Sequence, residues 1–251
     1  MSKKRVLKRR TVLAMGLVLV GMTTAIQAAT INYGDFSGAT VVYQQVTEAS
    51  VDPLFPLFGA PDLVIDTLDF KPLQFESQSA GSSPGADVTD GTLMTTIMAK
   101  PGTPGIDLVR ILEAGDFTLS GNPDTMGMAR ATLHVRLEVV EIDGAPLSVP
   151  IPFLVDDDVL FSLPGDVSGF WDLSAEFDVN MLLAEEGSTS GRATKIDIAL
   201  NNTLTTTSQD GSVSFIKKKD FFITTVTIPE PASAVLILLG VLCCGLARRR
   251  R

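Results

Sequence analysis

Strict alternation of apolar and polar residues is what most limits the folds open to this chain. In "MARATLHVRLEVVEID", Ala131, Leu133, Val135, Leu137 and Val139 share one face, and Thr132, His134, Arg136 and Glu138 share the other. "WDLSAEFDV" does the same, with Trp171, Leu173, Ala175, Phe177 and Val179 on one side and Asp172, Ser174, Glu176 and Asp178 opposite. A period of two puts side chains on opposite faces of a strand, so these segments read as half-buried antiparallel strands. Further strand candidates are "ATVVYQQV", "LVIDTLDF", "TLMTTIMA", "DFTLS", "LSVPIPFLV", "TKIDIALNNTLTTT", "GSVSFIK" and "DFFITTVTI". Between them lie Gly-, Pro-, Asn- and Asp-rich pieces such as "KPGTPG", "SGNPDTMG", "DGAP" and "LPGD", whose residues supply turn dihedrals. About ten short strands with such punctuation predict an all-β chain, an antiparallel β-sandwich of jelly-roll type. Helix is expected only in "NMLLAEEGSTSG", with Gly187 as its stop, or in "LVRILEAG", and either could equally be a strand end.

The two ends read differently from the middle. "MSKKRVLKRR", an apolar "TVLAMGLVLVGM" and a small-residue "TTAIQAA" follow one another as in a secretory signal peptide, spanning 1–29 with cleavage after Ala28 or Ala29. Its apolar part is short for an anchor helix, and Arg9-Arg10 before Val12-Leu13 leaves twin-arginine export as the alternative route. Between the ends, residues 30–227 carry ten Lys+Arg against twenty-eight Asp+Glu, a net charge of −18 where the whole chain has −9. So acidic a surface repels phosphate backbones, which excludes a nucleic-acid partner. Both cysteines, Cys243 and Cys244, lie in the C-terminal apolar run, so this middle part has no disulfide, reactive thiol or thiolate-held metal. It is long enough to bury a core without staples, and one exported domain is the expectation.

The C-terminal stretch 228–251 opens on Pro229, Glu230 and Pro231, runs uncharged from 232 to 247, and closes on Arg248, Arg249, Arg250 and Arg251. The prolines cannot donate ladder hydrogen bonds, so a strand ending at Ile228 stops there. As a helix the sixteen apolar residues span about 24 Å, a marginal crossing of a hydrocarbon core about 30 Å thick. The arginines would stay on the cytoplasmic side as a stop. Motif, transmembrane helix and basic end, in this order and at this position, resemble the PEP-CTERM sorting signal of exported bacterial proteins. The resemblance covers the last two dozen or so residues. It implies a Gram-negative-type envelope, a biofilm or exopolysaccharide setting, and two processing partners, signal peptidase and an exosortase-type membrane protease that recognises Pro229-Glu230-Pro231. The stretches "INYGDFSGATVVYQQVTE" and "PLFGAPDLVIDTLDFKPLQF" resemble exported β-domains that accompany this signal, which implies a fold and no activity.

Residues that could carry chemistry are few. Gly81-Ser82-Ser83-Pro84-Gly85 matches G-x-S-x-G, but it sits in a polar loop, and Pro84 lacks the N–H an oxyanion hole would use; a turn is the reading taken. His134 is the only histidine and sits on an outer strand face. Asp156, Asp157 and Asp158 are the one metal candidate, a loop of aspartates being suited to calcium, with a solvated turn as the preferred reading; no cofactor is otherwise expected. "DVTDG" (87–91) also reads as a turn, and Trp171 as core rather than a sugar-stacking platform. The expected protein is therefore a non-enzymatic structural or adhesive component of the envelope or extracellular matrix. The alternatives are a carbohydrate-binding module for exopolysaccharide and, further off, a glycoside hydrolase with a carboxylate pair.

Overall fold

The computed structural model describes residues 29–50, 55–81, 85–122, 124–187 and 191–228. The leader through Ala28, the Pro229-Glu230-Pro231 motif, the apolar run 232–247, Arg248–Arg251 and Ser82–Pro84 lie outside the described residues. Among the described residues, no helix is long and apolar enough to cross a membrane.

In chain order the strands are β1 (Ala29–Ser37), β2 (Val41–Ser50), β3 (Asp62–Val64), β4 (Thr67–Phe70), β5 (Glu76–Ala80), β6 (Gly85–Ala99), β7 (Leu108–Gly121), β8 (Gly127–Ile142), β9 (Ala145–Ser162) and β10 (Ser168–Asp178). The helix α1 (Val179–Glu185), then β11 (Ala193–Ser208) and β12 (Ser212–Val226), complete the described chain. One sheet runs β1-β2-β6-β11-β8-β9, the other β10-β7-β12-β4-β3 with β5 also paired to β12, and every named pairing is antiparallel. The all-β antiparallel sandwich expected from the alternation is the architecture found. The inward phases agree as well: Leu133, Val135, Leu137, Trp171, Leu173 and Phe177 are all buried.

Three segments depart from the sequence reading and a fourth, left open between helix and strand end, is strand; in each a partner strand outweighs local composition. "LVRILEAG" is wholly strand, at the start of β7. "DVTDG" is inside β6, where Asp90 accepts from Asn201 Nδ2 (3.2 Å) and Thr203 Oγ1 (2.7 Å) of β11 instead of turning the chain. "GSVSFIK" and "DFFITTVTI" are one strand, β12, joined through a bulge between Lys218 and Asp220. Asp156–Asp158 is not a solvated turn but mid-strand in β9. The helix forms where expected: the Asp178 carboxylate caps the Met181 N–H at 2.9 Å, and Gly187 (φ +81°) follows its end.

Loops close one part of the sandwich from inside. Phe58, before β3, and Phe75, between β4 and β5, are fully buried; Phe58 meets Phe75, Phe221 and Phe70 edge-on at centroid distances of 5.1, 5.3 and 6.3 Å. Beside them Asp66 ties two turns together, accepting from the Thr40 N–H (2.9 Å) and Thr40 Oγ1 (2.7 Å). The buried Tyr43 hydroxyl donates to the Asp66 carbonyl at 2.5 Å and lies 2.9 Å from Thr225 Oγ1. Burial holds the Tyr43 phenol far above its ordinary 10.0. Tyr33 is also raised, by burial and then by its 2.7 Å bond to Glu48.

An alkaline titration should show both effects, since these are the two tyrosines of the chain. Above pH 10 the unfolded chain sheds phenolic protons that the folded chain keeps, so the tyrosine contribution is complete below pH 10 and lost as pH rises. For Tyr43 the loss is about 1.4 kcal/mol per pH unit. Phenolate absorbance should stay flat past pH 10 and rise only with loss of strand circular dichroism. A smooth phenolate transition near pH 10 in folded protein would show that the phenols are not sealed as described.

Candidate functional site

The outer face of the β1–β9 sheet carries the open groups. A groove of about 380 Å³ crosses it beside the β2 bulge, where Gln45 takes φ +51°, and Gln44, Thr96, Arg136, Glu138 and Asp197 help line it. A second hollow of about 200 Å³ adjoins it at Arg136 and Ala199 and reaches His134 and Asp156. The polar groups there hold one another: Thr96 Oγ1 donates to Asp197 at 2.6 Å, and Arg136 pairs with Glu138. His134 lies opposite Asp156 in the β8–β9 register, with Nδ1 and Oδ1 2.7 Å apart.

Strand alternation splits the aspartate run. Asp156 faces outward to His134 and Asp158 outward to Arg130 (3.1 Å), while Asp157 turns the other way and accepts from the Ser174 N–H of β10 at 2.9 Å. The three carboxylates do not converge on one point. Among the described residues, no group of three or more His, Cys, Asp or Glu side chains is arranged to hold a metal ion. Trp171 is 3 % exposed, lies against Gly115 and donates from Nε1 to the Asp116 carbonyl at 3.3 Å, so it offers no platform to a sugar.

A buried acid–base pair lies between the sheets, among residues the sequence reading did not single out. β7 turns Val109, Ile111, Glu113, Gly115 and Phe117 inward, and β11 turns Ile198, Leu200, Asn202 and Leu204 inward. β12 turns Ser214, Ile216 and Lys218 inward before its bulge resets the phase to Phe221 and Ile223. Glu113, Asn202 and Lys218 therefore meet at the centre. Lys218 Nζ donates to Glu113 Oε2 at 2.6 Å, and Asn202 Nδ2 donates to the same oxygen at 2.7 Å. Lys218 and Asn202 are 0 % exposed and Glu113 2 %. Nζ also sits 4.5 Å from the Phe75 ring centroid and 5.2 Å from those of Phe58 and Phe221. Burial pushes the Glu113 carboxyl up and the Lys218 ammonium down, and their attraction for one another opposes both shifts. Glu113 Oε1 and Asn202 Oδ1 are buried with no hydrogen-bond partner. The signal in the sequence was the phase: a carboxylate and an amide each standing where the alternation demands an apolar residue.

No family model matches the chain, and no curated protein matches it. Among solved structures, a loop-swap mutant of Neocallimastix patriciarum Xyn11A aligns with 79 % of this chain and 100 % of its own, at 10 % identity and a TM-score of 0.25. The family 11 xylanase of the same organism aligns with the same shares at 11 % identity and a TM-score of 0.20. Overlap at that level carries no inference about activity.

Proposed function

We propose that this chain is an exported structural or adhesive β-domain of the cell envelope or extracellular matrix, jelly-roll-like, without enzymatic activity of its own. Its leader would be removed by signal peptidase. Its tail would hold it in the inner membrane until an exosortase-type protease acts at Pro229-Glu230-Pro231. One observation carries the non-enzymatic reading: the strongly perturbed acid and base, Glu113 and Lys218, are sealed from solvent. A hydrolase needs such a pair in a cleft that substrate can enter. The solvent-facing acids Asp158 and Glu138 are bound instead to the arginines Arg130 and Arg136, and Asp156 lies against His134 Nδ1.

Deleting the chain from its host should weaken the cohesion of the extracellular matrix while leaving the length of its polysaccharide chains unchanged. Purified protein that shortens those polysaccharides would overturn the proposal. The groove on the β1–β9 sheet favours a second reading, a carbohydrate-binding module for exopolysaccharide, because hydroxyl, amide and charged groups converge there as sugar recognition requires. Saturable cosedimentation with the host's polysaccharide, abolished by Asp197→Ala, would select that reading. Loss of cosedimentation on calcium removal would add the ion to it.

A further inference from the structure

The centre at Glu113 has the composition of a reaction site and no route for a substrate. Its amine, carboxyl and amide all belong to the chain itself. Lys218 comes from one sheet, Asn202 from the other, and Glu113 stands beside Lys218 on the neighbouring strand β7. Both nitrogens contact one carboxyl oxygen, at 2.6 and 2.7 Å, which brings the Lys218 amine alongside the Asn202 amide. Phenylalanine rings wall in the amine, so water cannot compete for the amide or solvate a charge.

We propose that the sandwich cross-links itself here, Lys218 Nζ condensing with Asn202 Cγ into an intramolecular amide while Glu113 relays the proton. The Nζ–Cγ bond forms, the Cγ–Nδ2 bond breaks, and one proton passes from Nζ through the Glu113 carboxyl to Nδ2, which leaves as ammonia. No oxidant, reductant or cofactor enters the balance. The attack requires a neutral amine and the departure of Nδ2 an acid to protonate it, and burial drives Lys218 and Glu113 toward those forms. Glu113 Oε2 touches both the attacking nitrogen and the departing one, so the relayed proton has a direct path, and the Thr132 carbonyl, accepting from Nδ2 at 3.4 Å, holds the amide in that orientation. The product is a covalent strut between the sheets, and the inference stands whether or not the domain is a matrix component.

Mass spectrometry of the full chain under denaturing conditions tests this, read against the termini mapped in the same sample. The expected mass is short by one ammonia in nearly every molecule, and digestion should release a branched peptide joining the Asn202 and Lys218 segments. Glu113→Gln keeps the shape but removes the acid, and Lys218→Met removes the nucleophile; both should return to full mass. Folded wild-type protein at its full mass would overturn the proposal without reference to any variant. So would a deficit that maps to residues other than 202 and 218.

Discussion

Replacing Glu113 with alanine should cost the fold about 3–5 kcal/mol more than replacing Lys218 with methionine. Neither variant can form the Lys218–Asn202 bond, so that contribution cancels in the comparison. What separates them is the group left behind. Without Glu113, the amine of Lys218 remains in a dry pocket either as an unpaired cation or after surrendering a proton it would keep in water. Its neighbours there are Phe58, Phe75 and Phe221, which attract a cation only weakly beside a carboxylate. Without Lys218, the Glu113 carboxyl becomes the neutral acid that burial already favours, and it still meets Asn202. Methionine fills the lysine's channel among the rings with a flexible apolar chain. Urea unfolding midpoints of the two variants, at equal m-values, would measure the difference. Equal midpoints would show that the centre is more hydrated than its burial indicates.

Gly115→Ala is expected to be the most disruptive change that alters no charge. A Cβ at this position would lie 1.9 Å from the Lys217 carbonyl oxygen and 2.6 Å from the Trp171 ring. Neither neighbour can retreat. The carbonyl belongs to the paired β7–β12 backbone, next to the Lys218↔Gly115 register position, and Trp171 is buried with its indole N–H bonded to Asp116. The expected loss is about 3 kcal/mol, the upper end of the usual range for overpacking. Gly165→Ala is the control, since its added carbon would meet nothing nearer than 3.6 Å. It should shift the unfolding midpoint by about 0.5 kcal/mol or less. A Gly115→Ala protein as stable as the control would mean that Trp171 does not pack on β7 as described.

Much of this architecture was legible in the residues because sheet faces follow a period of two. The inward sides of β8 and β10, the helix at Val179–Glu185 and the glycine that follows it could all be read locally. The aspartate runs could not. Asp156 and Asp158 read as turn-forming until His134 and Arg130 of β8 are known to meet them, and register is a property of two distant segments. The central site divides along the same line. Glu113 and Asn202 were visible in principle as polar residues in apolar phase. Lys218 was not, because nothing in "KKKD" tells which lysine turns inward until the bulge sets the phase of β12. That the three converge depends on how the sheets stack, which no local pattern encodes.

An exported structural domain requires this chain to leave the cytoplasm and lose both ends on the way. The direct measurement is peptide mapping of both termini on protein recovered from its own host, with cytoplasm, envelope and medium sampled separately. The expected result is a chain in the envelope or medium that begins just after Ala28 or Ala29 and ends near Pro229–Pro231, without Arg248–Arg251. A chain found in the cytoplasm with Met1 and Arg251 in place would contradict it.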